Sequence, residues 1–137
     1  MYLVIGFLCL LPYLTNGQVD LQTIANGEFK RIDANNDGHI EKEEISQSFQ
    51  AFDNNHDNKI TRHEYDSGVN NLHPNDPFTV HVLTALFVEL DSNNDKHLDD
   101  SDYDKFFTNA DTDKNNLVTS EEFLSWFQNA EGLPIVG

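Results

Sequence analysis

The sequence predicts an all-α fold in which four acidic loops connect short helices, with short β-bridges between paired loops. Three observations support it. Four gap-free segments of twelve residues, rich in Asp and Asn, begin at positions 33, 53, 91 and 111. Apolar residues flank these segments at helical spacing. The segments start 20, 38 and 20 residues apart, and an interval of 20 leaves room for only one helix, shared by loops one and two or by loops three and four.

The charge of the chain limits its possible partners. Twenty-four Asp and Glu outnumber eight Lys and Arg, which gives a formal net charge of -16. Nucleic acid is excluded as a partner because phosphate binding needs clustered cations, and anionic lipid surfaces are disfavoured for the same reason. The chain is nevertheless 38% hydrophobic and 11% aromatic, which favours a folded core over disorder. Crowded carboxylates in a folded protein predict a bound cation.

The N-terminus has the pattern of a secretory signal peptide. The first fourteen residues, MYLVIGFLCLLPYL, carry no charged side chain, and the small residues Thr15 and Gly17 follow them. We therefore expect a signal peptide at 1-17, a mature domain at 18-137, and a secreted, extracellular protein with no membrane span after cleavage. The alternative is a buried helix or an uncleaved anchor, although a spanning helix needs about 20 residues. The only cysteine, Cys9, lies inside this segment, so the mature chain has no disulfide.

The four acidic segments share one pattern of oxygen-bearing side chains. Positions 1, 3, 5 and 9 carry side-chain oxygens, position 8 is apolar and position 12 is a carboxylate. The segments are residues 33-44 (DANNDGHIEKEE), 53-64 (DNNHDNKITRHE), 91-102 (DSNNDKHLDDSD) and 111-122 (DTDKNNLVTSEE). They resemble the calcium loops of the EF-hand superfamily, which includes calmodulin and parvalbumin. The resemblance covers essentially the whole mature chain and implies an EF-hand helix-loop-helix array.

The resemblance also implies which residues hold the ion. Calcium is a hard cation that takes six to eight oxygens at about 2.3–2.6 Å, and the family supplies them from positions 1, 3, 5, 9 and 12 and from the backbone carbonyl of position 7. In the first two loops these are Asp33, Asn35, Asp37, His39, Glu41, Glu44, Asp53, Asn55, Asp57, Lys59, Thr61 and Glu64. In the last two they are Asp91, Asn93, Asp95, His97, Asp99, Asp102, Asp111, Asp113, Asn115, Leu117, Thr119 and Glu122.

The residues that flank the loops predict helices on both sides. Apolar or aromatic residues occur one, four and eight positions before every loop, which is the spacing of one helix face. They are Ile32, Phe29 and Ala25; Phe52, Phe49 and Ile45; Leu90, Phe87 and Leu83; and Ala110, Phe107 and Tyr103. Phe123, Trp126 and Phe127 follow the last loop. Acidic turns without a metal would not need this pattern, so we disfavour them.

The loops differ at positions 6 and 12. Gly38 occupies position 6 of the first loop, where a left-handed backbone costs glycine nothing. In the third loop Lys96 takes that position, and Asp102, one methylene shorter than Glu, takes position 12. We expect the first loop to bind calcium most tightly and the third most weakly. The third loop could also favour the smaller Mg²⁺ or stay empty at low calcium.

The spacing of the loops predicts which of them pair. Only eight residues separate Glu44 from Asp53, and eight separate Asp102 from Asp111, so one helix must leave one loop and enter the next. A helix of about 11 residues spans roughly 16 Å. Paired strands lie only about 4.8 Å apart, so the loops at its two ends cannot pair with each other. We predict that loop two pairs with loop three and loop one with loop four. Pairing one with three and two with four, or between two molecules, is the alternative.

Between loops two and three, the spacing predicts separate helices over 62–71 and 78–90, broken at HPNDP. The resemblance then implies a calcium-binding protein with up to four sites. The only Met is the initiator, which disfavours a sensor with a Met-rich groove and favours an extracellular buffer, carrier or matrix component. A sensor that opens an apolar surface to a protein partner is the alternative, and a mineral partner is also open. The chain has no recognisable catalytic motif, so we do not expect an enzyme. Loop histidines such as His39 could weaken calcium binding near pH 6 or be incidental.

Overall fold

The computed structural model describes residues 16–130, and within them it contains six helices and four short strands. The helices are α1 Asn16–Ile32, α2 Lys42–Gln50, α3 Arg62–Leu72, α4 Pro77–Leu90, α5 Asp100–Ala110 and α6 Ser120–Asn129. The strands are β1 His39–Ile40, β2 Ile60–Thr61, β3 His97–Leu98 and β4 Val118–Thr119. The all-α prediction with short β-bridges is confirmed. Most of the predicted signal peptide, residues 1–15, lies outside the described residues. No helix within 16–130 combines the length and apolar character needed to cross a membrane.

The strands form two antiparallel pairs that join the loops as the spacing predicts. β1 of the first loop pairs with β4 of the fourth, so that Ile40 lies opposite Val118. β2 of the second loop pairs with β3 of the third, so that Ile60 lies opposite Leu98. These four position-8 residues are fully buried. The predicted pairing of loop one with loop four and loop two with loop three is therefore confirmed.

Each 20-residue interval is filled by a single helix. α2 leaves the first loop, and a short turn at 51–52 leads directly into the second loop. α5 leaves the third loop and ends at Ala110, one residue before the fourth. The longer interval holds two helices. α3 ends at Leu72, and α4 begins at Pro77, whose missing N–H costs nothing in the first helical turn. Asp76 caps α4 by accepting a hydrogen bond from the N–H of Thr79 at 3.0 Å.

One apolar core joins all four loops. The strand pairing brings α1 against α6 and α2 against α5, while α3 packs on α4. Aromatic side chains fill these interfaces. Phe49 of α2 stacks on Tyr103 of α5 with ring centroids 5.3 Å apart. Phe29 of α1 meets Phe123 of α6 edge to face at 5.9 Å. Because the flanking residues of every loop enter the same core, the loops are held in fixed positions relative to one another.

Candidate metal centres

The aspartate at position 1 organises the backbone of every loop. Its side chain is buried in all four, and its two carboxylate oxygens accept the N–H groups of positions 5 and 6 at 2.8 to 3.2 Å. These aspartates are Asp33, Asp53, Asp91 and Asp111. Hydrogen bonds of this kind draw the backbone of residues 1–6 into a curl around one carboxylate. The fixed curl explains why aspartate, with its short side chain, recurs at position 1.

Positions 3 and 5 continue the same curl. The side-chain oxygen of position 3 accepts the N–H of position 5, and the side-chain oxygen of position 5 accepts the N–H of position 7, at 2.9 to 3.3 Å in every loop. Asn and Asp form such local turns readily. Each predicted ligand at these positions is therefore held in place by the backbone that follows it, without help from distant residues.

Two positions in each loop have a left-handed backbone, and the sequence predicted only one of them, position 6. Position 6 has a positive φ in all four loops, from 67° at Asn58 to 87° at Gly38, with Lys96 at 77°. Position 4 also has φ between 57° and 60° in all four loops, at Asn36, His56, Asn94 and Lys114. The Asn residues at position 4 of the first and third loops could have indicated this conformation, because Asn tolerates it better than most residues.

The carboxylate at position 12 closes each loop from the following helix. In the first loop, Glu44 accepts the N–H of Asn35 at 3.2 Å with one oxygen and that of Glu41 at 2.9 Å with the other. Asp102 of the third loop closes in the same way on Ser92 and Asp99, at 2.9 and 3.0 Å, although its side chain is shorter. Every position-12 carboxylate thus already lies against the loop that it is expected to complete.

Position 9 has a structural role in addition to its predicted ligand role. Glu41, Thr61, Asp99 and Thr119 are the N-cap residues of α2, α3, α5 and α6. Thr61 shows the role clearly, since its hydroxyl accepts the N–H of Glu64 at 3.2 Å and donates to a carboxylate oxygen of the same residue at 2.9 Å. Ser/Thr followed by Glu three residues later is a capping-box signal. The cap fixes the first turn of the helix and therefore the direction of the position-12 side chain.

The position-12 carboxylates differ in their electrostatics. Hydrogen bonding from the N–H of Thr61 lowers the pKa of Glu64. Burial acts to raise the pKa of Glu122, but hydrogen bonds led by the N–H of Thr119 outweigh it, and the pKa is lowered. Asp102 behaves in the opposite way. It is only 1% exposed, and burial raises its pKa above the usual range. The third loop therefore holds the least readily ionised of these three closing carboxylates.

Acidic side chains converge in the third and fourth loops. Ligand oxygens of Asp91, Asp95 and Asp102 lie within 4.8 Å of one another. Those of Asp111, Asp113 and Glu122 do the same, and desolvation together with the neighbouring Asp111 raises the pKa of Asp113. Oxygens bound to one calcium at about 2.3–2.6 Å lie at most about 5 Å apart, so both clusters fit that ion. Among the described residues, the ligand atoms of three acids do not converge in this way in the first two loops, although the same backbone hydrogen bonds hold the curl there.

Comparison with known families identifies the class of protein that these loops define. The family described as "EF-hand domain pair" matches residues 45–128, which include the second, third and fourth loops. The family described as "EF hand" matches residues 27–49, which include the whole first loop, the end of α1 and most of α2. Comparison with curated proteins and with solved structures gave no match. The chain belongs to the EF-hand family, whose domains bind calcium.

Proposed function

We propose that the protein is a secreted calcium-binding protein with four EF-hand sites, acting as an extracellular calcium buffer, carrier or matrix component. The observation that supports four sites is the repetition of one hydrogen-bonded curl in every loop. Asp33, Asp53, Asp91 and Asp111 make the same pair of contacts, and each position-12 carboxylate lies against its own loop. The ligands are those assigned to positions 1, 3, 5, 7, 9 and 12 above, with Mg²⁺ as a second ion for the third loop.

The proposed secretion rests on the first seventeen residues. Their apolar run and the small residues Thr15 and Gly17 form the pattern of a cleaved signal, and the remaining chain contains no cysteine. Calcium outside cells is abundant, so loops with weak affinity could be filled there. Four calcium ions bring eight positive charges against the net charge of -16, which leaves a remainder of -8. That remainder favours solubility or a mineral or basic protein partner.

The buried state of the aromatic side chains favours a buffer over a sensor. Apolar side chains of every helix from α1 to α6 enter one core. Among residues 21–130, the large apolar side chains that stay exposed are Leu72 at 44% and Val88 at 70%, on different helices. The chain has no Met beyond the initiator with which to build an adaptable groove. We therefore assign calcium storage or transport to this fold.

A sensor remains the second candidate because of a small, partly open cavity between the helices. This cavity has a volume of about 30 Å³ and is lined mainly by apolar side chains, including Tyr103, Trp126 and Leu72. Imperfect packing at this point would make separation of the helices easier than in a filled core. A calcium-dependent opening there would expose an apolar surface to a protein partner.

Two measurements on the same sample test this proposal. Calorimetric titration of the metal-free protein with calcium should give four ions bound per chain, and fewer than four would contradict the four-site assignment. Addition of a dye that fluoresces on apolar surfaces then separates the two candidates. A buffer leaves dye fluorescence unchanged when calcium is added, whereas a sensor raises it. Trp126, the only tryptophan, packs edge to face on Phe106 at 4.7 Å and reports changes near the fourth loop.

A further inference from the structure

The imidazole of His97 lies between two carboxylates of the third loop. Its Nε2 atom is 3.2 Å from Oδ2 of Asp95 and 3.5 Å from Oδ2 of Asp99. One ligand atom from each of the three residues falls within 4.8 Å of the other two. The side chain of His97 is 21% exposed, so the ring is held against the loop and does not extend into solvent.

The two carboxylate oxygens nearest the ring are not the oxygens that accept the N–H groups of His97 and Ser101. Asp95 uses its Oδ1 atom to accept the N–H of His97 at 3.2 Å. Asp99 uses its Oδ1 atom to accept the N–H and the hydroxyl of Ser101 at 3.0 and 2.7 Å. In each case the other oxygen, Oδ2, is directed to the imidazole. One nitrogen and two oxygens therefore converge without breaking the hydrogen bonds that Asp95 and Asp99 accept from His97 and Ser101.

The separations between these atoms suit a small tetrahedral ion. Zinc binds imidazole nitrogen at about 2.0–2.1 Å and carboxylate oxygen at about 2.0–2.2 Å, so neighbouring ligands of a tetrahedral site lie about 3.3–3.6 Å apart. The distances of 3.2 and 3.5 Å from Nε2 to the two oxygens match this edge length. Imidazole is a good ligand for zinc, whereas calcium prefers oxygen alone.

The first loop provides an internal comparison, because His39 occupies the same loop position. Its Nδ1 atom is 3.8 Å from Oδ1 of Asp37, and that oxygen already accepts the N–H of His39. The acid at position 9, Glu41, accepts a hydrogen bond from the side chain of Asn35 at 3.1 Å. The imidazole is also 40% exposed. A histidine at position 7 is therefore not sufficient to create the three-atom arrangement of the third loop.

We propose that the third loop binds zinc through Nε2 of His97 and one Oδ2 atom each of Asp95 and Asp99, with water completing the coordination. The proposal extends the function proposed above, since Asp95 and Asp99 are also assigned to calcium in that loop. Zinc and calcium then compete for the third loop alone. The loop with the least favourable calcium closure, at Asp102, is thus the one that accepts a transition metal.

Leucine substitutions at position 7 test the proposal, because Leu117 shows that a loop of this chain accepts leucine there. Calorimetric titration with zinc chloride compares the wild-type protein, His97→Leu and the matched control His39→Leu. We expect His97→Leu to weaken zinc binding by at least about 10-fold and His39→Leu by less than about 2-fold. Loss of a residue that only orients a metal ligand already weakens metal binding by about 10-fold or more, and loss of the ligand itself should cost at least as much. In nitrogen nuclear magnetic resonance spectra of the histidine side chains, the signals of the His97 ring should shift when zinc is added.

The outcomes separate this inference from the proposed function. Equal zinc affinity in wild type and His97→Leu, or unshifted imidazole signals of His97, would overturn the zinc site and leave only an ion pair with the two aspartates. Far-ultraviolet circular dichroism of the same variants is the folding control, because leucine at position 7, as at Leu117, should leave the helices intact. Failure of the wild-type protein to bind calcium would instead contradict the proposed function, whatever the zinc result.

Discussion

The second and third loops pair through one β-bridge but differ in how they close. Both curls are built on a buried aspartate, Asp53 or Asp91, with the same contacts to the N–H groups of positions 5 and 6. The closing residue separates them. Hydrogen bonds hold the pKa of Glu64 below its usual range, whereas burial raises the pKa of Asp102. Similar backbone geometry therefore occurs with closing carboxylates that ionise differently, and we expect the calcium affinities of the two loops to differ for this reason.

The largest fall in calcium affinity is expected when Glu64, the more readily ionised of the two closing carboxylates, is neutralised. Glu64→Gln keeps the shape of the side chain but removes its charge and one good ligand oxygen. We expect the calcium affinity of the second loop to fall on the order of 100-fold, because ligand charge is a main determinant of affinity in these loops. Asp102→Asn is the matched change in the third loop and should cost less. A larger loss for Asp102→Asn in calorimetric titration would reverse the proposed order of the two loops.

Exchanging the closing residues should make the calcium affinities of the two loops more alike. Asp102→Glu restores the missing methylene and should raise the affinity of the third loop by about 10-fold, while Glu64→Asp should lower that of the second by a similar factor. Both variants keep the net charge of the chain, so long-range electrostatics stay constant. If both substitutions weaken binding, side-chain length is not what distinguishes these loops.

A smaller effect is expected at position 6 of the third loop. Lys96 has φ of 77°, a left-handed conformation that costs a side-chain-bearing residue roughly 1–2 kcal/mol. Lys96→Gly should relieve this cost, so the metal-free protein should gain about 1 kcal/mol in its free energy of unfolding. Urea unfolding followed by Trp126 fluorescence measures the gain. Asn58→Gly in the second loop is the control and should gain less, since Asn tolerates this backbone.

The smallest effect is a difference in pH dependence. Asp102 has a raised pKa in the metal-free fold, so protonation of this group stabilises that fold at low pH, and the contribution disappears as pH rises through the raised pKa. Glu64 has a lowered pKa, so its contribution is present above its unfolded pKa and is lost only as pH falls through the lowered one.

Calcium must displace any proton on these carboxylates. Between pH 7 and pH 5 the affinity of the third loop should therefore fall more steeply than that of the second. Titrations in buffers of different ionisation enthalpy should show more proton release from the wild-type protein than from Asp102→Asn. Equal proton release from the two would contradict the raised pKa of Asp102.

The fold could be predicted from the sequence because its constraints are local. Eight residues between Glu44 and Asp53 allow only one helix, and that helix prevents the loops at its ends from pairing with each other. The position-8 residues are likewise identified by register within each loop, and they lie at the bridges. The expected ligand positions follow from the same repeat, so one repeated sequence pattern predicts both the candidate sites and the topology.

Contacts between individual side chains could not be predicted, because they depend on distances in the folded chain that a sequence repeat does not specify. The position of the His97 ring between two carboxylate oxygens distinguishes it from His39, although both occupy position 7. Outside the loops, Glu28 is buried and accepts two hydrogen bonds from Arg31 at 2.7 and 2.9 Å, and His73 approaches its other oxygen at 3.4 Å. His73 lies 45 residues from Glu28 in the sequence. Contacts of this kind appear only when α1 packs beside the end of α3.

The amide N–H groups at position 6 offer the most direct test of four unequal calcium sites, because each donates to the position-1 aspartate of its own loop. Nuclear magnetic resonance of these amides, those of Gly38, Asn58, Lys96 and Asn116, follows every loop separately during one calcium titration. The assignment of four unequal sites predicts that all four signals shift and that the signal of Lys96 shifts at the highest calcium concentration. A loop whose signal never moves, or a Lys96 signal that moves before that of Asn58, would contradict it.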